Sequence, residues 1–184
     1  MLISSVWRGR SRLSFIVGLF VGAAPVALVA YALGATLVQW WMPAEVAAAI
    51  VACIVVVAIL NESGLAQVKL PQNARQVPQQ IMREEPWLGA LQFGAEMGTG
   101  MRTFMTTALP HVLLVCVIVL SGPWPAVAAG VGFAAGRSAV PVGTWATGMA
   151  WTDRFDAWNG PVRLMLTSAF VLAAVAVAWP QSFP

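Results

Sequence analysis

Four ionisable side chains lie where the chain is otherwise apolar. Glu96 and Arg102 fall in the run Trp87–Leu120, His111 follows Pro110 in the same run, and Arg137 falls in the apolar run after it. A charge in hydrocarbon costs several kcal/mol unless it is paired or hydrated, so such residues are the first candidates for function. On a helix, Glu96, Thr99, Thr103, Thr106 (or Thr107) and Pro110 follow steps of three and four and make one polar stripe. Two kinds of chemistry fit. In one, Glu96 pairs with Arg137 or Arg102 in a polar cavity, and the threonines line a solute path or satisfy carbonyls freed at a helix break. In the other, the same groups form a buried ion pair that sets helix register, the arginines snorkel towards headgroups, and His111 is a hydrogen-bonded core residue.

The elements that must position these groups follow from composition. Of 184 residues, 59% are apolar and 9% are charged, and mean hydropathy is +0.78. A soluble domain has about 25% charged residues, so this chain lacks the groups to coat a water-facing surface. Most soluble enzymes and nucleic-acid binders are excluded on that ground, and no nucleic-acid partner is expected. A single all-α transmembrane domain is expected over residues 1–184, a polytopic bundle of about five spans near 13–40, 43–60, 87–120, 126–150 and 161–179. A polar loop at 61–86 and a short one from Thr152 to Gly160 separate them. The 87–120 run is too long for one straight span, roughly 51 Å against a hydrocarbon core of about 30 Å. It must tilt strongly, break or re-enter, with Pro110 and the segment Gly94–Gly100 as the obvious places. The first run, 28 residues from Leu13 to Trp40, is too long for the apolar part of a signal peptide and reads as a retained span.

Charge gives the expected orientation. Arg8, Arg10, Arg12, Lys69, Arg75, Arg83, Arg154 and Arg163 all fall on one side of a five-span layout. The positive-inside pattern then puts the N-terminus in the cytoplasm of a bacterial plasma membrane and the C-terminus on the exported side. Trp40, Trp41, Trp87, Trp124, Trp151, Trp158 and Trp179 lie at expected span ends, as indoles at headgroup level do. Gly-xxx-Gly pairs at Gly18/Gly22, Gly94/Gly98 and Gly132/Gly136 offer flat strips for close helix packing in lipid. Arg75, Arg83, Glu84 and Glu85 in the long loop would dock a cytoplasmic partner or lie at the lipid surface; alternatively the loop is a solvated connector.

No P-loop, dinucleotide fingerprint, metalloprotease motif or nucleophile elbow is present in the sequence, so no catalytic residues are expected. One histidine cannot supply two-histidine haem ligation, and neither a metal nor a cofactor site is evident; bound lipid is expected. Cys53 and Cys116 sit in apolar runs without a CxxC context, where a thiol reacts slowly.

Two stretches look alike, Gly18–Gly34 and Gly94–Leu114; each opens with Gly-xxx-Gly and leads into a span interrupted by proline or glycine. The second, with the preceding PWLGALQF and the later GFAAGR, resembles the second half of CcdA/DsbD-type (LysE-like) membrane proteins, over about a third of the chain. That resemblance implies a broken-helix bundle built from a degenerate repeat. The family's redox cysteine lies beside proline in the broken helix, whereas Thr99–Thr103 here contains none, so the thiol relay does not carry over. Three functions are expected in this order: an accessory subunit of a larger membrane complex, with protein partners or further copies of itself; a small-solute or ion transporter using the cavity between spans three and four; and a thiol-redox protein using Cys53 and Cys116.

Overall fold

The computed structural model describes residues 10–65, 86–100, 107–148, 150–151, 153–154, 157–158, 160–162, 164–165 and 167–169. These are helices and short turns, with no strand among them. Helix α1 spans Arg10–Gly34 and continues through one wider π-helical turn, Ala35–Gln39. After the Trp40–Pro43 turn come α2 (Ala44–Glu62), α3 (Pro86–Gly98), α4 (Leu109–Leu120) and α5 (Pro123–Thr147). Three helices are long and apolar enough to cross a membrane: Ser11–Gln39, Ala44–Glu62 and Pro123–Thr147.

Local chemistry explains the ends. Pro43 precedes α2, and Pro123 sits in the first turn of α5, where a missing N–H is harmless. Gly148, at φ 67°, stops α5 in a positive-φ conformation open essentially to glycine. Gly100 plays a similar part beyond α3, at φ 70°. Pro25 and Pro141 lie inside α1 and α5 without ending either helix. Hydroxyls of Thr36, Ser138, Thr144 and Thr147 donate to carbonyls three or four residues back on their own helices.

Several expected boundaries are corrected. Asn61 and Glu62 belong to α2 and not to the loop, because the last apolar turn carries them along. Of the alternatives expected for the run 87–120, the described residues show the break: α3 and α4 are separate helices, with residues 99–108 between them. The stretch expected to parallel it, Gly18–Gly34, is unbroken, since α1 runs through Pro25. The short polar loop from Thr152 to Gly160 is helical at each residue described there: 153, 154, 157, 158 and 160. Of the expected span 161–179, the residues described up to Ala169 are helical, and the remainder lies outside the described residues. The expected surface loop, with Arg75, Arg83, Glu84 and Glu85, also lies outside them.

Packing is organised around α1. Alpha-helix α3 lies parallel to it at backbone contact. A Cβ added at Gly18 or Gly22 would strike the carbonyl oxygens of Leu91 or Ala95, and one at Gly94 or Gly98 would strike those of Phe15 or Leu19. Phe15 meets Gly94 and Leu19 meets Gly98, so the two helices run in the same direction. The Phe15 and Phe93 rings meet at 5.8 Å beside this seam. Alpha-helix α4 continues the course of α3 along the far half of α1, where Gly34 lies against the Ile118 carbonyl. Alpha-helix α5 runs antiparallel to α1: Ala126 packs with Ala30 and Val117, Gly130 faces Ala23 and Ala27, and Ala134 packs with Phe15 and Leu19. Alpha-helix α2 pairs antiparallel with α4 through Val51, Val55, Ala58, Ala108 and Val112.

The expected packing role of Gly132 and Gly136 is not what the helix uses. Neither has a described neighbour within 4 Å of an added Cβ, and Gly130, on the opposite face of α5, makes the close approach instead. Gly143 is covered, by the Trp151 indole.

Large apolar side chains point outward along the bundle: Val17, Val21, Leu33 and Leu37 on α1, Val46 and Val56 on α2, Val131 on α5. Exposed indoles mark both ends. Trp40, Trp41 and Trp124 stand at one end, Trp87 and Trp145 at the other. Trp124 and Trp145 are roughly 31 Å apart along α5 at 1.5 Å per residue, close to the hydrocarbon thickness of about 30 Å.

Because the seam admits no side chain, Gly22→Leu or Gly94→Leu will lower unfolding stability in detergent by about 1–3 kcal/mol or more, while Gly132→Leu will leave it unchanged. Unfolding midpoints of the three variants check this; equal midpoints would refute the seam.

Candidate functional site

Of the candidate polar residues, Glu96, Thr99 and His111 flank the interruption between α3 and α4. Glu96 is half-buried in the last turn of α3. The Thr99 hydroxyl donates to the Glu96 carbonyl at 2.7 Å and the Thr99 amide to the Ala95 carbonyl at 3.0 Å. Thr99 therefore serves a carbonyl at the helix end, one of the two tasks expected of the threonines. His111 lies across the interruption, half-buried in the first turn of α4, where its amide bonds to the Ala108 carbonyl at 3.0 Å. Arg102, Thr103 and Thr106 fall outside the described residues.

Alpha-helix α4 is held at both ends by the α1–α2 hairpin. The Ala108 amide donates to the Glu62 carboxylate at 2.7 Å. An acid at a helix N-terminus takes up an amide that has no partner within the helix and interacts favourably with the helix dipole. At the other end, the Gln39 amide donates to the Ile118 carbonyl at 2.9 Å and the Ser121 carbonyl at 3.2 Å. Gln39 closes the π-helical turn of α1. Sequence reasoning missed both residues. One signal was available: an acid at the C-terminal end of α2 opposes that helix's own dipole, so a partner on another element was to be sought.

Arg137 is half-buried on α5 with its guanidinium 5.4 Å from the centre of the Phe133 ring. Its Cα lies roughly 12 Å along the helix from Trp145, the nearer end. Phe133 is one turn in the opposite direction, so the guanidinium lies towards the middle of α5 and away from its nearer end. The stacking on an aromatic face offsets part of its desolvation.

The helix contacts put Glu96 and Arg137 at similar depth. Glu96 lies between Gly94 and Gly98, which meet Phe15 and Leu19 of α1, and Ala134, one turn before Arg137, packs in the same cluster. The two side chains sit on α3 and α5, the two helices that share the near half of α1. Carboxylates and an imidazole at such a depth bind and release protons and small ions; a guanidinium binds anions.

Cys53 is exposed on α2 and Cys116 is half-buried on α4, both as free thiols. Among the described residues no group of three or more His, Cys, Asp or Glu side chains is arranged to hold a metal ion. Comparison of the chain with protein-family models, with curated proteins and with solved structures finds no match.

If the Glu62 contact holds the start of α4, Glu62→Ala will lower stability by about 1–2 kcal/mol, as loss of a helix N-cap does. Glu62→Gln, which keeps an oxygen acceptor, will recover part of it. Unfolding midpoints in one detergent decide the matter; an alanine variant as stable as the parent would exclude the cap.

Proposed function

We propose that this chain is a multi-pass integral membrane protein, an accessory subunit that packs inside a larger membrane complex. The observation that carries the reading is the outer face of α5. Gly132 and Gly136 are open there, beside exposed Ala128, Ala135 and Ala139. The opposite face, with Ala126, Gly130 and Ala134, is already used by α1. Within lipid, helices associate where small residues let backbones approach, so an open strip of this kind suits a helix of another chain or a further copy of this one. The outward apolar side chains and the two levels of exposed tryptophan support the bilayer as its surroundings.

Three long helices, a crossing made of α3 and α4 together, and the apolar run 161–179 would make five passages. The cationic residues would then face the cytoplasm of a bacterial plasma membrane, with an exported C-terminus. The CcdA/DsbD-type ancestry rests on the Gly-xxx-Gly openings of Gly18–Gly34 and Gly94–Leu114, of which the second alone is interrupted.

A second reading, a small-solute or ion transporter, is favoured by one specific observation: Arg137 directs its charge inward at the depth of Glu96. In that reading Glu96, Arg102 and Arg137 would line the path.

Purification in mild detergent separates the two. The subunit reading expects other chains to co-purify in fixed proportion, and expects Gly132→Leu with Gly136→Leu to release them without loss of folding. Recovery as a stable monomer that drives flux in liposomes, with that flux abolished by Glu96→Gln and Arg137→Ala, would replace the subunit reading with the transporter.

A further inference from the structure

Pro25 and the interruption between α3 and α4 lie at the same level of the bundle. The amide of Thr99, the first residue past α3, lies 3.0 Å from a Cβ built on Gly22. On the other side, Ala30 packs with Val117 and Gly34 meets Ile118. Counting back along α4 puts its start, Leu109, about level with Pro25 at equal rise per residue. Proline has no N–H for the Val21 carbonyl, so α1 lacks a backbone hydrogen bond at the height where its neighbour is interrupted.

Among the described residues, the helix pairings differ on the two sides of this level. Below it, the Arg10–Ala24 limb of α1 is joined to α3 through Gly18, Gly22, Gly94 and Gly98. Above it, the Val26–Gln39 limb is joined to α4 through Gly34 and Gln39, and α4 to α2 through Glu62 and the Val51–Val112 cluster. Among the described helices, α5 is the one packed on both limbs. It meets α1 there with Ala126, Gly130 and Ala134, and Gly130 falls at the joint, against Ala23, Ala24 and Ala27. At the joint itself the facing side chains are small, Gly130 against Ala23, Ala24 and Ala27, and leave no knob there to lock the limbs against each other; the large α5 side chain in this packing, Phe133, lies against the lower body's cluster.

We infer that the bundle is two bodies that flex about a joint at Pro25: the lower α1 limb with α3, and the upper α1 limb with α2 and α4. This goes beyond the subunit reading and does not depend on it. The flexing changes the gap between Glu96, on the lower body, and Glu62 and His111, on the upper.

Pulsed electron-spin distance measurements in lipid nanodiscs test it, on the full chain with Cys53→Ala and Cys116→Ala. Spin labels at L88C and L114C span the joint; labels at V17C and L88C stay within the lower body, and at I50C and L114C within the upper. All four positions are exposed. The joint predicts a broad or two-population distance across it, narrow distances within each body, and loss of the second population in Pro25→Leu, which restores the amide for Val21. Pro25 is exposed, so this variant removes no packing. Hydrogen exchange of the α1 amides after Pro25 gives a second readout, slower in Pro25→Leu than in the parent. A single narrow distance across the joint in the parent overturns the inference. So does breadth that Pro25→Leu leaves unchanged, breadth within a body equal to that across the joint, or exchange that the substitution does not slow.

Discussion

The carbonyl oxygens of Phe15, Leu19, Leu91 and Ala95 each stand where a Cβ would be on a glycine of the facing helix. No other residue type permits this approach. In water two apolar helices would be pressed together by burial, but lipid is as apolar as the side chains and supplies no such drive. What remains is close backbone contact, including weak Cα–H···O bonds, and the seam makes four such approaches. With α3 held parallel to α1, the remaining elements have assigned places: α4 must continue along α1, α2 must return beside α4, and α5 must take the free side of α1.

Part of this was legible in the residues. Hydropathy located α1, α2 and α5, because a long apolar run has one stable form in lipid. The length of the 87–120 run required an interruption, and glycine and proline marked its neighbourhood. Gly18, Gly22, Gly94 and Gly98 were recognisable as packing positions by spacing, but spacing alone gave Gly132 and Gly136 the same status. Which glycine of α5 meets α1 depends on the rotation of the helix, and α5 has small residues on both faces. The polar loop after α5 was misread because a run of polar residues does not by itself end a helix; Gly148 does, at φ 67°.

The candidate site was legible as a list of residues and not as an arrangement. Glu96, His111 and Arg137 stood out because charge is rare in this chain. The direction of the Arg137 side chain, towards Phe133, depends on local rotamer and ring contact. Glu62 and Gln39 escaped notice because their partners are backbone groups 46 and 79 residues away. A backbone donor or acceptor carries no mark in a sequence. Such groups matter more in lipid than in water, since an unsatisfied amide there has no solvent to turn to.

The clamps on α4 bear on how the protein is made. Alpha-helix α4 has 12 residues, too few to be stably threaded across a bilayer alone. Both groups that receive its ends, Gln39 and Glu62, and the glycine strip that receives α3, precede it in the chain. A ribosome reaches them first, so on the proposed membrane reading the α1–α2 hairpin can settle as a cradle before α3 and α4 emerge. The order of residues along the chain is thus also an order of assembly, in which the least self-sufficient helix arrives after the hairpin that clamps its two ends and before α5, which covers it.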